Sequence, residues 1–245
     1  MMQDEYPEAR FLEKALESPE FRAFYAQYRE SIPWRIHWVV NPDVLDPRVH
    51  GCTDHYHGEC GIVLRSLPST SLGVHVLAHE LGHLVLDTEG FPGTVPLVRA
   101  GSPEAPLSAL LSSSLQDPII EGRLGSFGFP TVQKYKRWTR DALEDMLAVR
   151  ATLGEDLSFE LRTQRLLLVL KHRLWWKAIA PGEADVYFWK EVESGFPALA
   201  NEADSLAAVI EGVGYSDPDS MAAAMNELRR ALELKGIVSE PKPRP

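Results

Sequence analysis

Residues 72–87 (LGVHVLAHELGHLVLD) place the tightest limit on what this chain can fold into. Val74, Val76, Leu77, Leu81, Leu84 and Val85 make almost every turn of a helix here apolar, so the helix must be buried. Ser69, Thr70 or Ser71 can cap its start, and Gly90 stops it. Into this apolar surface the chain sets three polar residues, His79, Glu80 and His83. Residues four apart on a helix stand one turn apart on one face, so the two imidazoles can reach a single ion. A buried polar trio without partners is costly, and a metal satisfies all three.

His79-Glu80-Leu81-Gly82-His83 fits the H-E-x-x-H zinc pattern. In that pattern the two histidines are ligands. The glutamate stands beside the ion without binding it and takes a proton from zinc-bound water, whose pKa the metal has lowered. The expectation is therefore Zn2+ as cofactor, His79 and His83 as metal ligands, and Glu80 as general base.

Ahead of this helix, residues 8–30 show helical spacing interrupted at Ser18-Pro19, a helix start with proline in the first turn. Residues 32–40 (IPWRIHWVV) and 60–67 (CGIVLRSL) read as strands, and residues 43–59 between them as loop. A proline- and glycine-rich connection, residues 91–106, follows the polar trio. From Leu107 onward the pattern is almost entirely helical, with its longest apolar run over residues 157–179.

The order helix, strand, strand, then a helix bearing HELGH resembles the zincin metallopeptidases. Residues 61–86 (GIVLRSLPSTSLGVHVLAHELGHLVL) resemble the ImmA/IrrE-type and related minimal gluzincins, and the likeness covers about residues 8–130. The resemblance implies an α+β fold. Residues 1–130 would form a small zincin-like unit of backing helix, short antiparallel sheet, HExxH helix and Glu-bearing helix. Residues 131–236 would form a helical region packed on it, and residues 237–245 a flexible tail. It also implies that the strand before the metal helix, residues 61–66, is the sheet edge to which a peptide substrate adds.

A three-histidine zincin would continue as HExxHxxGxxH, but Leu86 and Glu89 stand at those positions. Gluzincins instead take a glutamate from a following helix, and residues 115–124 (LQDPIIEGRL) offer one. Pro118 suits a first helical turn with Asp117 as its N-cap, which would project Glu121 from the next turn. Glu121 is the expected third ligand, with Asp117 the alternative ligand or a supporting partner. Asp87, one turn beyond His83, reads as a solvated residue near the helix end.

Cys52, His55, His57 and Cys60 crowd nine residues, but their spacing matches no common structural zinc pattern. They read as a histidine-rich loop, with a second metal, a thiol pair or an inhibitory ligand as alternatives. Lys134, Lys136, Arg137 and Arg140 read as a solvated face, and His172 as a surface or boundary histidine. Trp175, Trp176 and Trp189 read as core or interface residues. Lys+Arg number 25 and Asp+Glu 35, a formal charge of −10. Such a surface repels phosphate backbones and anionic lipid, so neither nucleic acid nor membrane is expected as primary partner. With no leader-like or membrane-spanning run either, a cytoplasmic protein is expected.

The functional expectation is a zinc-dependent metallopeptidase acting on a peptide or protein substrate. The alternative is a zincin-fold regulatory or binding protein that keeps the metal and acts through partner contacts. The sequence leaves oligomeric state open.

Overall fold

The computed structural model describes residues 4–42, 50–56, 58–153, 157–183 and 186–243. The fold is α+β with a small mixed sheet, and no helix among the described residues is long and apolar enough to cross a membrane. The chain divides into two compact units. One holds residues up to Glu89 together with Arg123–Pro130, and the other holds Gly90–Gly122 and Thr131–Arg244.

The first unit is built from β1 (Asp4–Tyr6), α1 (Glu8–Leu12), α2 (Pro19–Tyr28), β2 (Arg35–Val40), β3 (Gly51–Tyr56), β4 (Glu59–Leu64) and α3 (Ser71–Thr88). The expected break at Ser18 is present: its side chain accepts from the Phe21 amide at 3.2 Å, and Pro19 opens α2. The sheet order is β1-β2-β4-β3. β1 and β3 pair antiparallel with their neighbours, whereas β2 and β4 run parallel.

Three expectations change here. The sheet is mixed rather than antiparallel, because a whole strand, β3, intervenes between β2 and β4 and takes the outer position. Residues 51–56, expected as loop, are that strand. β4, expected as the substrate-facing edge, is interior, with β2 on one side and β3 on the other. Alternation along β4 buries Cys60, Ile62 and Leu64 on one face, as period-2 geometry requires. α3 packs against β3, β4 and α2. Phe11 and Trp38 are buried in the same unit, ring centroids 5.2 Å apart.

The second unit is helical: α5 (Thr131–Leu153), α6 (Phe159–Ile179), α7 (Val186–Gly195), α8 (Pro197–Val213) and α9 (Pro218–Ala231). α6 is the central rod, packed on α5 and α8, and Tyr135, Trp175 and Trp176 bury together at its C-terminal half. The expected placement of Trp175 and Trp176 in the core holds.

Helix α4 (Leu107–Ser126) contributes its last turn to the first unit and the rest to the second. Asp117 is not its N-cap: the helix begins ten residues earlier and Pro118 lies inside it. An interior proline costs about 3 kcal/mol and removes a backbone donor. Leu107, Leu111, Leu115 and Leu124 are all completely buried on both sides of it, and that burial outweighs the proline.

Residues 237–243, expected as part of a flexible tail, make backbone pairings and bury Val238. β6 (Lys242–Pro243) pairs with β5 (Pro92–Gly93), Ser239 donates its amide to Val95 at 2.9 Å, and Val238 is fully buried.

Candidate metal centre

α3 starts where Thr70 accepts the Gly73 amide at 3.1 Å, and it is buried almost throughout. His79 and Glu80 are 4% and 7% exposed, and His83 is half-buried. The two imidazoles stand one turn apart with ring centroids 5.0 Å apart and planes at 83°. Asp87, expected to be solvated, is buried at the helix end.

Glu80 is held from β3. The Thr53 hydroxyl stands 2.8 Å from Glu80 Oε2 and 3.0 Å from the Glu80 carbonyl. Sequence reasoning missed Thr53 because residues 43–59 carry no strand signature that would have placed it opposite a helix.

On α4, Asp117 and Glu121 stand one turn apart and each meets an ammonium group. Glu121 accepts from Lys134 Nζ at 2.5 Å, with both side chains at most 1% exposed. Lys134 also lies over the Trp138 ring, 4.3 Å from its centroid. It is therefore no part of a solvated basic face, unlike exposed Lys136, Arg137 and Arg140. Asp117, 4% exposed, meets Lys171 Nζ at 3.3 Å through Oδ2.

Within the first unit, His79 and His83 offer two imidazole nitrogens one turn apart on α3. Two imidazole nitrogens and a carboxylate oxygen are a donor set that zinc accepts, with bonds of about 2.0–2.2 Å.

No family model, curated protein or solved structure matches this chain.

The cysteine-rich hairpin is plainer than its sequence. Cys52 faces Val63 across the ladder and Cys60 faces His55, so the two thiols sit on different rungs, and neither is in a disulfide. Burial, with the Glu80 and Asp54 charges adding, pushes the Cys52 thiol up to about 11, so it is protonated at neutral pH. His57 lies outside the described residues, and His55 is described in its backbone only. His172, expected near the surface, is 2% exposed and stacked 5.8 Å from Trp175. Burial, reinforced by Lys171 and opposed by Asp117, lowers its pKa to about 3, so it is a neutral imidazole.

Proposed function

We propose that this chain is a zinc-dependent hydrolase of peptide bonds, resembling the minimal zincins, with His79 and His83 as metal ligands, Asp117 as third ligand in place of the gluzincin glutamate, and Glu80 as general base. The observation that carries the reading is the pair of imidazoles one turn apart on α3 beside a buried glutamate that a neighbouring strand already holds. Asp117 is preferred to Glu121 as third ligand because Lys134, the partner of Glu121, is sealed from solvent, whereas Lys171, the partner of Asp117, is 15% exposed. Zinc, when bound, lowers the pKa of its water towards neutrality and polarises a carbonyl.

The chain's own residues supply the rest. Glu80 takes the proton from the attacking water and returns it to the leaving amine. The apolar walls of α3 keep bulk water from competing for that proton. Glu121 and Lys134 fix the face of α4 that presents Asp117.

Metal analysis and a peptidase assay on a panel of denatured proteins test this. Wild type and Glu80→Gln should both carry about one zinc per chain. Only the wild type should cleave, with the variant slower by roughly 10²- to 10⁴-fold, and a chelator should abolish the activity. Zinc without cleavage in either protein would replace this reading with the regulatory one, and absence of zinc from the wild type would remove both.

A further inference from the structure

We infer that Thr53 is a positioning residue for Glu80, and that Gly51 sets the spacing that lets it reach. The inference rests on the reading of Glu80 as proton carrier.

Gly51 and Thr53 are two apart on β3 and so project from the same face of the strand. A Cβ on Gly51 would lie 2.8 Å from Leu64 Cδ2, 2.9 Å from Val76 Cγ1 and 3.1 Å from Glu80 Cγ. The first two are shorter than carbon atoms tolerate and the third is tight, so any larger residue would push Leu64 and Val76 aside, and glycine lets β3 lie this close to α3 without that shift. Two residues on, the approach brings Thr53 Oγ1 within hydrogen-bond distance of two Glu80 oxygens, at 2.8 and 3.0 Å. The hydroxyl has one hydrogen to give. The Glu80 carbonyl lies inside α3, where the amide four residues on already donates to it. A carboxylate is the stronger acceptor, so the hydrogen goes to Oε2.

The geometry has a chemical consequence. A glutamate side chain has three rotatable bonds, and a base whose oxygen wanders gains little from proximity. Threonine is stiff at its first torsion, so its donor points in a fixed direction. Tying Oε2 to Thr53 leaves Oε1 as the oxygen that accepts the proton from water and hands it to the amine. The hydrogen bond from Thr53 is kept throughout that exchange.

The test compares Thr53→Val, which keeps the shape and removes the donor, with Thr53→Ser, which keeps the donor. Both are made in the full chain loaded with zinc and assayed on the panel protein that wild type cleaves fastest. Thr53→Val should lower kcat by roughly ten-fold or more with KM within about two-fold, while Thr53→Ser recovers most of the rate. All three proteins should hold the same zinc content. In the metal-free protein, the carbon-13 resonance of the Glu80 carboxylate, assigned by its loss in Glu80→Gln, should shift in Thr53→Val and return in Thr53→Ser.

An unchanged kcat in Thr53→Val, a resonance that does not move, or a serine variant as slow as the valine one overturns the inference. A wild type that cleaves nothing sinks the reading of Glu80 as base instead, and the resonance still decides whether Thr53 ties the carboxylate.

Discussion

Asp117 and Glu121 look interchangeable on paper, one turn apart on α4 and each beside a lysine, yet the exposure of those lysines separates them, 15% for Lys171 against 1% for Lys134. The Glu121–Lys134 pair is sealed from solvent on both sides. Removing one partner strands a buried charge, so Glu121→Gln should cost about 3–5 kcal/mol of stability while zinc content is unchanged. Replacing both with apolar residues, Glu121→Leu with Lys134→Met, should recover most of that loss in urea unfolding. Asp117→Asn should lose zinc with a smaller loss of stability, since Lys171 can reach solvent, and the reverse pattern would make Glu121 the ligand. His172 adds a pH signature. Its folded pKa, about 3, lies below the ordinary histidine value of 6.5, so the unfolded chain binds a proton that the folded chain refuses. Its contribution is fully present above pH 6.5 and drains away as pH falls towards 3, by up to about 1.4 kcal/mol per unit. Unfolding at pH 7 and pH 5 should therefore show a smaller acid loss in His172→Phe than in wild type. His37 works the other way. Glu59 and Glu5, each 2.8 Å from a ring nitrogen, raise its pKa, so its pairing is lost as pH rises.

At the scale of elements, Gly51 is the most exacting position in the sheet. A methyl group there meets two side chains at under 3 Å, so Gly51→Ala should destabilise by about 1–3 kcal/mol through overpacking, read as a lower urea midpoint. The elements differ in how plainly the sequence announced them. α3 was legible to within a residue because its apolar positions recur with helical period and Thr70 offers a cap. β3 was hidden because Gly51, Asp54 and His55 are poor strand formers by composition; pairing along β4, not intrinsic preference, makes it a strand. α4 misled for a related reason. Pro118 is a strong local start signal, and it was overruled by buried leucines that only the folded chain brings into contact. The site shows the same division: His79, Glu80 and His83 are contiguous and could be read directly. Thr53 acts across 27 residues of sequence, and Lys134 across 13, so neither had a local signature.

At the scale of the whole molecule, the α+β class was visible in the change from β-branched runs to helical period after residue 67. The division into units was not, because α4 runs unbroken through the boundary. The segment 237–243 carries a further expectation. Val238 is fully buried, Arg229 Nε donates to its carbonyl at 2.7 Å, and Leu97 donates its amide to Ile237 at 2.8 Å. Deleting residues 237–243 should lower the melting temperature by several degrees, since burying one valine alone is worth about 1.5–3 kcal/mol. The pairing of residues 92–96 with 238–243 also has a bearing on synthesis in the cell. A ribosome adding about 5–20 residues per second needs roughly 7–30 s to travel from Pro96 to its partner Val238. For that interval the hydrogen-bonding edge at residues 92–96 is already translated while its complement does not yet exist. The growing chain must pass through a stage with an uncapped edge, where another nascent chain or a chaperone can engage it before its own C-terminal segment arrives.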